Sequence, residues 1–102
     1  MSALGPKLRQ VEGGGLMFWC PGCDGAHMVR VGDGPGPRWS WNGAIERPTF
    51  APSVFVNAPG PHHSDRAPIC HFFVVEGRMK FLADCTHALA GQTVDLPDWE
   101  TG

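Results

Sequence analysis

Between Cys70 and His87, two runs rich in Phe and Val flank Glu76-Gly77, a pattern that points to a single β-hairpin. Gly77 supplies the positive φ that a two-residue hairpin turn needs. With Glu76 and Gly77 at the turn, Val75 pairs with Arg78, Phe73 with Lys80, His71 with Leu82 and Cys70 with Ala83. Side chains alternate along a strand, so Cys70, Phe72, Val74, Met79, Phe81, Ala83 and Cys85 share the core face. His71 falls on the other face, diagonal to Asp84, where the two can hydrogen-bond. A cysteine closes each strand at its open end. Diagonal neighbours in a sheet stand roughly 7–8 Å apart, too far for an unstrained disulfide but suited to sharing one ion.

A second pair, Cys20-Pro21-Gly22-Cys23, has the spacing of a zinc knuckle, in which two thiolates reach one tetrahedral centre from a tight turn. The chain of 102 residues has four cysteines and no secretory signal, so metal ligation is favoured over structural disulfides. No βαβ pattern surrounds the motif, which argues against a thioredoxin-like redox site. No segment approaches the length of a membrane span, and the expected location is the cytoplasm or a phage particle. A formal charge of −2, with eight basic residues never adjacent, makes nucleic acid an unlikely partner.

The remainder reads as short strands between Gly- and Pro-rich turns. Residues 1–15 form a flexible arm or a first edge strand, 16–99 one zinc-stabilised β domain, and 100–102 a tail. Leu16 to Trp19 runs into the knuckle, and Ala26 to Val31 leaves it with His27, Val29 and Val31 on one face. Gly32 to Pro37 is a loop, since proline removes backbone donors. Trp39 and Trp41 alternate with polar residues along a strand edge facing the core. Pro48 to Val56 starts irregularly and becomes a strand at Ser53, its two prolines suiting an edge. The proline-rich segment 57–68 is a surface loop, and Ala88 to Gly91 suggests one helical turn capped by Gly91. No helical period is sustained, so the fold is expected to be all-β, a small antiparallel sandwich or open barrel with a zinc knuckle and a central hairpin.

The candidate ligands of one structural Zn²⁺ are Cys20, Cys23, Cys70, Cys85 and His87, of which four suffice; His27 is a substitute close to the knuckle. His62 and His63 fall in the loop and are expected to face solvent. A site closed by four side chains staples a small core. Three ligands and an open position would instead allow hydrolysis, with His71, Asp84 or Asp65 as bases. Thiolate-rich ligation argues against that chemistry, because sulfur donors reduce the Lewis acidity of the metal.

Cys-Pro-Gly-Cys, Trp41-Asn42-Gly43, Pro48-Thr49-Phe50 and Asp84-Cys85-Thr86-His87-Ala88-Leu89-Ala90-Gly91 together resemble a family of small, functionally unassigned proteins of bacteria and bacteriophages, over roughly residues 16–99. Some of its members carry an ammonia monooxygenase label, which a chain without membrane spans does not support. The resemblance implies a phage or prophage setting and supplies no catalytic residues. Four Trp and six Phe in so small a chain leave aromatic surface for a partner. The leading expectation is therefore a zinc-binding module that engages another protein, of host or phage. A small zinc hydrolase using His71 and Asp84 is the second, and a nucleic-acid-binding zinc module the third.

Overall fold

The computed structural model describes residues 2–99. Two antiparallel sheets face each other, and the described residues contain no helix. The first sheet runs in order β1 (Ser2–Leu4), β2 (Leu8–Val11), β3 (Gly15–Cys20) and β4 (Gly25–Arg30). The second runs β5 (Ser40–Trp41), β6 (Phe50–Val56), β7 (Cys70–Val75), β8 (Arg78–Phe81) and β9 (Thr93–Asp95). Each sheet keeps open edges, so the all-β fold is a sandwich and not a closed barrel. Among the described residues no helix is long and apolar enough to cross a membrane. Residues 2–14 supply β1 and β2, and Leu8 within them is completely buried. The expected 100–102 tail lies outside the described residues.

The period-two pattern decides which face of each strand is buried. In β3, Leu16, Phe18 and Cys20 turn inward, and their cross-strand partners Val29, His27 and Gly25 carry that face into β4. Phe50, Phe72, Val74, Met79 and Phe81 answer from the second sheet. The Phe18 ring stacks on Phe50 with centroids 5.8 Å apart and meets Phe72 edge-on at 5.9 Å, which joins the two layers. Fully burying one such side chain is worth about 1.5–3 kcal/mol. Gly15 permits the first sheet to close, because a Cβ there would lie 2.3 Å from the Val11 side chain.

The central hairpin has the expected register: Phe73 opposes Lys80 and Val75 opposes Arg78. Glu76 and Gly77 both take positive φ, 50° and 75°, as a primed two-residue turn demands. Beyond Phe81 the ladder departs from the sequence expectation. Leu82 still donates its N–H to the His71 carbonyl, but the Cys85 N–H then folds back on the Leu82 carbonyl. This turn leaves Ala83 exposed instead of on the core face, and returns Cys85 to the interior. Residues 88–91 form turns instead of a helical turn, with Gly91 at φ 76°.

Candidate active site and the adjoining cysteine cluster

On the outer face of the second sheet, three polar side chains from β6, β7 and the turn after β8 meet in a line. The Ser53 Oγ lies 3.3 Å from His71 Nε2, and His71 Nδ1 lies 3.0 Å from Asp84 Oδ2. Alternation along β7 turns His71 away from the core, and the turn after β8 brings Asp84 alongside, so the pairing expected from the hairpin is present. With Asp84 accepting from Nδ1–H, the imidazole is held in the tautomer that leaves Nε2 free to accept a proton. Phe55, the cross-strand partner of His71, lies flat on its ring, centroids 4.1 Å apart and planes 4° from parallel. Behind the ring, Cys85 Sγ contacts both the His71 N–H and its carbonyl oxygen at 3.2 Å. The imidazole is thus fixed from its face, its main chain and its Nδ1 edge.

Ser53 is the member that sequence reasoning missed. The register between β6 and β7 shifts between Phe50 and Val54, and Ser53 sits in that irregular stretch beside the cis Ala51-Pro52 peptide. Counting alternation back from Val56 would have placed Ser53 and Phe55 on the face of His71, which was the available signal.

On the inner side of the same strand, Cys70 begins a second constellation. The ligand atoms of Cys20, Cys23, His27 and Cys70 all lie within 4.8 Å of one another, so this set could hold a metal ion. Cys20 Sγ and Cys70 Sγ are 3.9 Å apart; a tetrahedral Zn²⁺ with bonds of about 2.3 Å would set its sulfurs at about 3.8 Å. The Cys23 N–H points at Cys20 Sγ from 3.4 Å, the amide-to-sulfur contact of a knuckle, and Asp24 follows in the left-handed region at φ 52°. His27 arrives because it opposes Phe18 on the inner face of the first sheet. Its Nε2 is buried without a hydrogen-bond partner, as a nitrogen placed to ligate a metal would be. Its ring stacks on Phe72, centroids 5.5 Å apart.

Electrostatics within the cluster agree with shared ligation. The Cys70 thiol donates to Cys20 and holds the Cys20 thiol down at about 4, against the opposing effect of burial. Burial pushes Cys23 up to about 11, with the Cys20 charge adding to it. Donation to Cys20, together with burial, drives Cys70 upward. A divalent cation bound here would hold the ligating sulfurs as thiolates.

Of the sequence-derived ligands, Cys20, Cys23 and Cys70 come together with His27, whereas Cys85 and His87 form a separate group around Cys70. His87 Nε2 lies 3.3 Å from Cys70 Sγ, and its ring packs so closely on Gly22 that a Cβ there would overlap it at 2.4 Å. His62 is exposed; His63 is half-buried, bonds the Asn57 carbonyl and pairs with Asp65 at 3.3 Å, and neither joins the cysteine groups.

Residues 6–82 match a family model described as bacterial ubiquitination-like system serine protease (BubE). No curated protein and no solved structure matches the chain.

Proposed function

The chain belongs to the bacterial ubiquitination-like system serine protease (BubE) family, and from that premise we propose that it is a serine hydrolase whose nucleophile is Ser53, general base His71 and orienting carboxylate Asp84. One observation carries the reading: the unbroken hydrogen-bonded line from Ser53 Oγ through both imidazole nitrogens to Asp84. A triad is recognised by geometry and role, and unrelated folds use different chain orders of the same groups. Ser53 Oγ attacks the substrate carbonyl while His71 Nε2 takes its proton. Asp84 holds the ring and stabilises the imidazolium that forms. His71 then protonates the leaving group, and a water activated by the same nitrogen releases the acyl group from Ser53. A Ser53–His71 separation of 3.3 Å is long for a finished hydrogen bond, and such contacts tighten when substrate binds. The family description points to a protein substrate within a ubiquitination-like system, cleaved at an amide or ester carbonyl. The partner protein expected from the exposed aromatics is, on this reading, the substrate.

Cys20, Cys23, His27 and Cys70 would hold a single Zn²⁺ with all four positions filled by side chains. When bound, the ion supplies cross-linking energy to the fold. His71 and Asp84 serve Ser53 on the opposite face of β7, which removes the motive for a zinc-activated water.

The test is covalent. A fluorophosphonate probe should label the protein at Ser53, located by peptide mass spectrometry, and labelling should vanish in Ser53→Ala with its melting temperature preserved. Equal labelling of the wild type and Ser53→Ala would sink the assignment.

A further inference from the structure

Strand β7 is apolar on both faces: Phe72 and Val74 point into the core, while Phe73 and Val75 point outward. A strand with one solvated face ordinarily alternates apolar with polar residues, and large apolar groups left outside mark a surface that something covers. Phe73 is 38% exposed, Val75 46% and Phe55 44%, and all three share the outer face with the triad. Their positions around the nucleophile are specific. Phe55 follows Ser53 by two residues on the same face of β6. Phe73 follows His71 by two residues on the same face of β7, about 6.5 Å along the strand, and so lies next to the imidazole that Ser53 touches. Val75 continues the track one side chain further along β7. Phe55 is already stacked on the His71 ring, whereas Phe73 and Val75 pair across the sheet with Lys80 and Arg78 and keep their outer surface exposed.

We propose that Phe73, extended by Val75, is the specificity-determining surface of this hydrolase and receives an apolar side chain of the residue that supplies the scissile carbonyl. The inference rests on the Ser53 reading and names the substrate class for that site: acyl groups bearing a bulky aliphatic or aromatic side chain. Continuity with the nucleophile selects this occupant, since a carbonyl held at Ser53 Oγ leaves its own substituent within reach of the Phe73 ring. Covering that ring removes apolar surface from water only when such a substituent is present.

The experiment compares the Nα-acetyl-leucine and Nα-acetyl-glycine 4-nitrophenyl esters as substrates of the intact chain. The wild type should favour the leucine ester in kcat/KM by about tenfold, the low end of what covering an apolar side chain provides. Phe73→Ser and Val75→Ser should each reduce that ratio, with Phe73→Ser bringing it close to one and Phe73→Leu restoring most of it. A merely structural role for Phe73 would slow both esters together and leave the ratio in place. A wild type indifferent to the two esters, or a ratio that survives both serine variants, overturns the proposal. Should Phe73→Ser fail to fold, the wild-type ratio and Val75→Ser still decide. Failure of the underlying reading has a different signature: Ser53→Ala hydrolyses both esters as fast as the wild type, and the subsite falls with it.

Discussion

His71 is held by more neighbours than an exposed surface histidine needs. Phe55 covers one face of the ring, Cys85 brackets its main chain, and Asp84 accepts from Nδ1. Asp84 is half exposed, so the pair adds at most about 1 kcal/mol to stability. Its importance is to fix a tautomer. Asp84→Asn should therefore lower kcat by about 10²–10⁴ while shifting the melting temperature little; ester hydrolysis followed beside a thermal melt separates the two. An equal loss of activity and of fold would mean that Asp84 is a structural tie only. The His71–Asp84 contact was legible in the sequence because Glu76-Gly77 dictated the hairpin register. Ser53 was not, because β6 and β7 are joined by the long loop 57–69 and no local turn sets which residue of β6 meets His71.

At the scale of the element, β7 carries two chemistries on a repeat of two residues. Cys70 faces the cysteine cluster and His71 faces Ser53, one inward and one outward. The turn after β8 repeats the device with Asp84 outside and Cys85 inside. A single glycine inserted between Cys70 and His71 would reverse the faces on one side of the insertion. That variant should lose fluorophosphonate labelling and metal binding together, whereas a glycine inserted after His62, in the exposed loop, should lose neither. Labelling and metal content measured on the same preparations distinguish these outcomes. Knuckle and hairpin were legible because turn chemistry and alternation are local. How close His27 comes to Cys20 and Cys70 was not, since it depends on how the first sheet seats against the second.

For the whole molecule, the cysteine cluster joins the two layers: Cys20, Cys23 and His27 belong to the first sheet and its turn, and Cys70 to the second. An ion there would tie segments 50 residues apart at Cys20 and Cys70. Structural zinc can release on the order of 10 kcal/mol on binding, comparable with the entire stability of a domain of this size, about 5–15 kcal/mol. Chelation or Cys23→Ser should unfold the protein or lower its melting temperature by tens of degrees, and one equivalent of zinc should restore the chelated protein. An apo-protein that melts at the same temperature would refute the structural assignment. The sandwich class followed from composition and alternation, but how its layers meet did not. The Phe18 contacts with Phe50 and Phe72 join residues that no local pattern relates.

Ser53, His71 and Asp84 stand on the face of a sheet, whereas a concavity of about 790 Å³ lies at the other end of the hairpin, lined by Val75, Gly77 and Lys80 among others. Inhibitor chemistry inherits this arrangement. A reversible small molecule would find a nucleophile beside a shallow aromatic shelf and bury little of itself there, so potency against this protein should come from electrophiles that bond to Ser53 or from folded proteins broad enough to cover the face.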